Sequence, residues 1–291
     1  MGRIATAFAV VFTALGVVAA PVAAADIDIQ PVGSVPVPAG PAEAWIVADM
    51  DTGQVLAGHN DNTRYAPAST IKTLLAQVVL DEVPLETTIV ADEADTRVEC
   101  NCAGVAPGRT YTARQLLEAL LLASGNDAAN TLARMLGGMD VAVAKMNGKA
   151  ARLGAHGTNV VTPSGLDGPG MPFWSTPHDL AVIFRAGMAN PVFAQIVAMP
   201  STVFPTKTGD AVLVNQNELL YRYPGALGGK TGFTDIARKT YVGAAQRDGR
   251  RLVVVLMHGL VTAGGPTYWD QAAGLLDWGF GLDRGASVGV L

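Results

Sequence analysis

Cysteine is scarce: the 291-residue chain has two, Cys100 and Cys102, with one residue between them. Two thiolates are too few for a structural zinc site, which takes four ligands. The four histidines (His59, His156, His178 and His258) show no H-E-x-x-H or other ligand spacing. No metal and no other cofactor is therefore expected. Charge is also sparse, at 15% of residues with a net charge of −5, so no basic face for nucleic acid is expected. Beyond the first residues no apolar run is long enough to span a bilayer, and no internal repeat is visible. What the chain has in quantity is apolar side chains, 49%, enough for a globular protein with a sizeable core.

Residues 1–25 carry a secretory leader pattern. Arg3 supplies a positive charge, Ile4 to Ala20 are apolar, and Ala23-Ala24-Ala25 offers small residues before Asp26. The run approaches the length of a short spanning helix, so a retained anchor is the competing reading. Ala, Thr and Gly dilute the run, which favours cleavage, and no cysteine stands at the cleavage point for a lipid. Cleavage would leave 19 basic against 25 acidic residues. The expected location is extracytoplasmic: secreted, periplasmic or on the cell-wall side, with membrane contact only if the leader is retained. There a Cys100–Cys102 disulfide is open to the chain, although a ring closed over C-x-C is tight. Residues 26–40, rich in Pro, Val and Gly, read as a flexible tether, and 41–291 as one domain.

Within that domain, Ala44–Met50 and Gln54–Gly58 read as a hairpin about Asp51-Thr52-Gly53. Thr88–Val90 and Arg109–Tyr111 are short strands. Leu116, Leu117, Leu120 and Leu121 mark a helix face that breaks near Ser124, and helix resumes from Ala128. Val141–Leu153 is a helix stopped by Gly154, and Thr176 caps another. The last third is strand-rich: Ala211–Val214, then Lys239–Ala245 and Arg251–Met257 joined at Asp248-Gly249. Tyr268–Trp278 is helical. Strands at both ends (44–58 and 211–258) with helices between (about 73–200) predict an α+β fold. One antiparallel sheet is assembled from both termini and carries an inserted helical lobe.

Three short motifs stand out. Ala66-Pro67-Ala68-Ser69-Thr70-Ile71-Lys72 opens a helix near Pro67, so Ser69 and Lys72 share one face. A serine hydroxyl is a poor nucleophile until a base takes its proton, and an unprotonated lysine can be that base. Alone, S-x-x-K is no more than a helix start with a solvated lysine. Ser124-Gly125-Asn126 sits in the break between two helices, and Lys230-Thr231-Gly232 follows Gly228-Gly229. Of seven serines, only Ser69 has lysine three residues on, and only Ser124 has asparagine two residues on. The order S-x-x-K, S-x-N, K-T-G is a recognised set in acyl-transferring serine enzymes.

Two decoys accompany them. Lys207-Thr208-Gly209 runs into Asp210 and reads as a surface turn. Lys230 instead follows glycines that permit close backbone approach, with two strands after it. Gly285-Ala286-Ser287-Val288-Gly289 matches a nucleophile elbow, but that arrangement needs an Asp and a His after the serine. Here the sequence reaches Leu291 without them.

Over about residues 42–280, including Ser164-Gly165-Leu166-Asp167, the chain resembles the low-molecular-mass serine penicillin-binding proteins, the D-alanyl-D-alanine carboxypeptidases. The resemblance implies a DD-peptidase/β-lactamase-like fold, a five-stranded antiparallel sheet flanked by helices with a mostly helical lobe. It implies Ser69 as nucleophile, Lys72 as general base, Ser124 as proton relay and Asn126 as holder of the substrate amide. Lys230 and Thr231 would receive the terminal carboxylate, with Gly232, Phe233 and Thr234 completing the substrate-binding strand. The N–H groups of Ser69 and Phe233 would form the oxyanion hole. The implied partners are a peptidoglycan stem peptide ending in D-Ala-D-Ala and β-lactams as covalent inhibitors. A serine β-lactamase is the nearest rival. Class A enzymes of that kind use a glutamate to activate the deacylating water, and no glutamate lies between Glu118 and Glu218. A non-catalytic penicillin- or peptidoglycan-binding module would have no need of nucleophile and base together.

Overall fold

In the computed structural model the described residues are 1–2, 28–261 and 263–291. The leader expected over 1–25 lies outside them, Met1 and Gly2 apart. The chain runs β1 (Asp28–Ile29), β2 (Ala42–Asp49), β3 (Gln54–His59), a 3₁₀ turn (Ala68–Ile71) and α1 (Lys72–Glu82). There follow β4 (Thr88–Val90), α2 (Glu93–Thr96), β5 (Thr110–Thr112), α3 (Ala113–Leu122), α4 (Asn126–Met135), α5 (Met139–Leu153), α6 (Pro177–Met188) and α7 (Pro191–Ala198). The last third holds β6 (Ser201–Thr206), β7 (Gly209–Val214), α8 (Leu219–Arg222), β8 (Ala226–Thr234), β9 (Arg238–Arg247), β10 (Arg250–Gly259), α9 (Tyr268–Phe280) and β11 (Gly289–Val290).

The run Leu252–Met257 lacks polar alternation because both faces of β10 are buried. Val253, Val255 and Met257 pack towards the helical lobe, while Leu252, Val254 and Leu256 pack with α9. The antiparallel order is β3-β2-β10-β9-β8, so strands from the two ends of the domain meet at β2–β10. β9 and β10 are joined through Asp248 and Gly249, both at positive φ (49° and 72°), as a tight hairpin of the right twist requires.

Three expectations need correction. The sheet has more than five strands: β1 and β11 both pair with the outer edge of β3. Their backbones cover N–H and C=O groups that an open edge would leave unpaired. That pairing also means the described part of the expected tether is laid along the domain. Further along it, Trp278 Nε1 donates to Val35 O at 2.8 Å. Finally, Ala211–Val214 belongs to a separate hairpin, β6–β7, and not to the main sheet. Phe204 alone is fully buried there, stacked on Tyr111 at 5.1 Å between ring centroids, while Val203, Val212 and Val214 are exposed.

α1 is apolar on every side and is therefore buried in the lobe, with Leu74, Leu75, Ala76 and Val79 fully enclosed. This placement takes Lys72, its first residue, out of water.

Candidate active site

Ser69 sits in the 3₁₀ turn after Ala68, which has φ 47°. A non-glycine residue in that region is strained and is held by its surroundings. Here Thr70 Oγ1 and Thr240 Oγ1 both donate to Pro67 O, at 2.6 and 3.0 Å. Ser69 is half-buried and opens onto a cleft of about 690 Å³. One turn on, Lys72 is fully buried and its Nζ lies 2.7 Å from Ser69 Oγ. Nζ also donates to Asn126 Oδ1 at 2.7 Å and to Ser164 O at 2.5 Å.

The second motif arrives through the α3–α4 break. Ser124 adopts φ 63°, which turns the chain and begins α4 at Asn126. The side chains of Ser124 and Asn126 are both buried against the two lysines. Lys230, on the edge strand β8, donates to Ser124 Oγ at 2.9 Å and to Thr231 O at 2.7 Å.

Glycine brings β8 this close. A Cβ on Gly232 would stand 2.8 Å from Ser69 N and 2.3 Å from Thr240 Oγ1. A Cβ on Gly229 would meet Val242 O at 2.6 Å. Beyond them Thr231 and Phe233 line the cleft, and Phe233 is exposed beneath Lys239 Nζ at 4.6 Å from the ring centroid. Thr234 Oγ1 donates to Asp167 Oδ2 at 2.8 Å, tying the far end of the strand to the Ser164–Asp167 loop.

Two buried lysines so placed cannot both hold a proton easily. Burial, then the charge of Lys230, depress Lys72 well below the ordinary lysine range, with Asp127 opposing. Burial alone pushes Lys230 down to about 7.

All nine residues singled out in the sequence thus gather at one place: Lys72 bonds to Ser69 and Asn126, Lys230 bonds to Ser124, and Thr231 to Thr234 border them. Lys207, the decoy, is exposed in the turn between β6 and β7. Sequence reasoning missed the main-chain partners. Ser164 O accepts from Lys72, and Gly165, at φ 90°, fits there because a Cβ would stand 2.2 Å from Ala68 O. It also missed Asp127, a buried carboxylate that accepts from the N–H groups of Ala103, Gly104 and Val105, each at 2.9 Å. An acid directly after a motif residue was the available signal. The state of the two cysteines, left open by the sequence, is a Cys100–Cys102 disulfide at the cleft wall.

The chain is similar to known proteins. The peptidase S11 family model, D-alanyl-D-alanine carboxypeptidase, matches residues 33–260. The chain is 69% identical over 267 residues to D-alanyl-D-alanine carboxypeptidase DacB2 of Mycobacterium tuberculosis, covering 92% of each. A crystal structure of a D-alanyl-D-alanine carboxypeptidase from that organism superposes with a TM-score of 0.88 at 69% identity, covering 90% of this chain and all of that one. A DD-transpeptidase structure from Streptomyces gives 0.79 at 29% identity, covering 85% of this chain and all of that one. The Ser69–Lys72 pair, the strand beside it and these likenesses lead to one statement: the chain belongs to the D-alanyl-D-alanine carboxypeptidase family of serine penicillin-binding proteins.

Proposed function

We propose that this protein is an exported serine carboxypeptidase that removes the terminal D-alanine from peptidoglycan stem pentapeptides through an acyl-Ser69 intermediate. The observation that carries this reading is the 2.7 Å approach of Lys72 Nζ to Ser69 Oγ inside a site that disfavours the ammonium form. A neutral amine has two N–H donors and one lone pair. Asn126 Oδ1 and Ser164 O accept the two N–H groups, which leaves the lone pair for the Ser69 proton.

The Ser69 oxygen then attacks the carbonyl of the penultimate D-alanine, and its proton passes to Lys72. The N–H groups of Ser69 and Phe233 take the developing oxyanion, and donors of this kind are worth about 3–4 kcal/mol each. The leaving amine receives its proton through Ser124. Lys230 bonds to that hydroxyl and, near pH 7, is poised to supply the relay. The terminal carboxylate lies against Lys230 and Thr231, and its negative charge favours a protonated Lys230. The proton taken from Ser69 passes from Lys72 back to Lys230 through Ser124, which restores the neutral amine. Water then hydrolyses the ester with Lys72 again as base, and Lys72 returns that proton to the departing Ser69 oxygen.

A β-lactam ring presents the same amide and carboxylate to the same groups, so Ser69 is acylated by penicillins too. Export by the leader places the reaction where peptidoglycan is built. Release of D-alanine from a defined pentapeptide, with and without Ser69→Ala, tests the proposal. The wild type releases D-alanine and binds labelled penicillin, and the variant does neither. Activity retained by Ser69→Ala would sink it. Transfer to an amine acceptor needs only a different second substrate, and the likeness to a structure described as a DD-transpeptidase makes that the reading to compare in the same assay.

A further inference from the structure

One loop holds Asn126 from behind. Glu99 O accepts from Asn126 Nδ2 at 2.8 Å, and Asn101 O accepts from the Asn126 backbone N–H at 2.7 Å. Between and around these two carbonyls runs the Cys100–Cys102 disulfide. Farther on, Ala103, Gly104 and Val105 are clamped by the Asp127 carboxylate, the residue after Asn126. Contact is close at the turn itself: a Cβ on Gly125 would stand 2.9 Å from the Ala103 Cβ. On its other side, Asn126 Oδ1 accepts from Lys72 Nζ.

The clamp at Asp127 reaches only residues 103–105. The segment that carries the two Asn126-binding carbonyls lies outside it and is exposed at Glu99, Cys100 and Asn101. A covalent ring there removes backbone freedom that an exposed segment would otherwise have. We propose that the Cys100–Cys102 disulfide is a positioning element of this site. It holds the carbonyls of Glu99 and Asn101 in register so that Asn126 stays aligned with Lys72 and with the substrate amide. The proposal rests on the roles given above to Asn126 and Lys72. Cys100 lines the cleft, so the bond is open to a small dithiol. Two electrons from the dithiol reduce the disulfide to two thiols through a mixed disulfide, and the dithiol leaves as its own disulfide. The site would then respond to the redox state of its surroundings.

The test uses the full chain, in which a reductant has no other disulfide to attack because the sequence holds two cysteines. The rate of Ser69 acylation by a labelled penicillin is measured with the bond oxidised, reduced by dithiothreitol and reoxidised, with the thiol state read by intact mass. Reduction slows acylation on the order of tenfold, since small misplacements near the chemistry carry penalties of up to about 10²-fold. Reoxidation restores it. Cys100→Ser/Cys102→Ser behaves like the reduced protein and ignores the reductant. Asn126→Ala, already slow, loses nothing further on reduction, because the bond acts through that side chain. Equal rates for oxidised and reduced wild type overturn the proposal, as does the same fractional loss in Asn126→Ala. Oxidised wild type that is never acylated overturns the proposed function instead, so the two failures are told apart.

Discussion

Lys72 Nζ lies 2.7 Å from Ser69 Oγ, and no water-exposed face of that lysine remains. The i,i+3 spacing sets the approach, and the burial of α1 decides which protonation state the amine prefers.

Replacing Lys72 by arginine separates charge from basicity. Arginine keeps a long cationic side chain but does not give up its proton. Acylation by penicillin and D-alanine release should both fall about 10²- to 10⁴-fold, the usual worth of a general base. Substantial activity in Lys72→Arg would assign the base to another group.

The pH profile follows from the same pair. In the proposed reaction the reactive form is the one in which Lys72 is neutral, so acylation should rise with pH as Lys72 loses its proton. Burial and then the Lys230 charge set the position of that acid limb below the ordinary lysine range. In Lys230→Ala the second cause disappears, and the limb in kcat/KM moves to higher pH. A limb that stays put or moves down contradicts the coupling.

Stability should run opposite to function at Lys230. The unfolded chain titrates near the ordinary lysine value, 10.5, and the folded chain near 7. Between those values the unfolded state binds more protons, so native stability rises with pH. Lys230→Met should slow turnover while removing that burden. It should raise Tm at pH 7, with the advantage over wild type shrinking as pH approaches 10.5. Thermal melts at several pH values check it.

Gly232→Ala probes the approach of β8 to the nucleophile. The new methyl group would meet Thr240 Oγ1 at 2.3 Å and Ser69 N at 2.8 Å, so strand or turn must shift. Overpacking of this kind costs about 1–3 kcal/mol. Acylation should fall far more than Tm, because the displaced N–H is the Ser69 donor proposed for the oxyanion. A stable variant with unchanged acylation would argue against that site.

Asp49 and Arg250 form a buried pair at 2.9 Å on neighbouring strands, β2 and β10. Burial pushes the Asp49 carboxyl up, but the N–H donors of Thr52 and Asp51 and the Arg250 side chain outweigh it, leaving it below the usual range. Its contribution to stability is full above the ordinary carboxylate value and is lost as pH falls through the lowered one. Asp49→Ala leaves Arg250 uncompensated and should cost about 3–5 kcal/mol, read by denaturant unfolding at pH 7.

Much of this protein is legible in one dimension where the physics is local. The i,i+3 relation of Ser69 and Lys72, the Asp248-Gly249 hairpin and the Thr176 cap each depend on a few neighbouring residues, and each stands where the sequence puts it. The three motifs also point to the family, because a serine, a lysine and a glycine-flanked K-T-G have few other uses in that order. Tertiary structure decided what composition cannot carry. It joined Lys72 to Asn126 across 54 positions and Lys230 to Ser124 across 106. It recruited the Ser164 carbonyl, a group every residue possesses and no sequence advertises. It sent Ala211–Val214 to a separate hairpin, and it buried two lysines side by side. Desolvation belongs to the folded surroundings of a residue, so the depressed lysine on which the proposed chemistry depends arises only once the lobe has closed over α1.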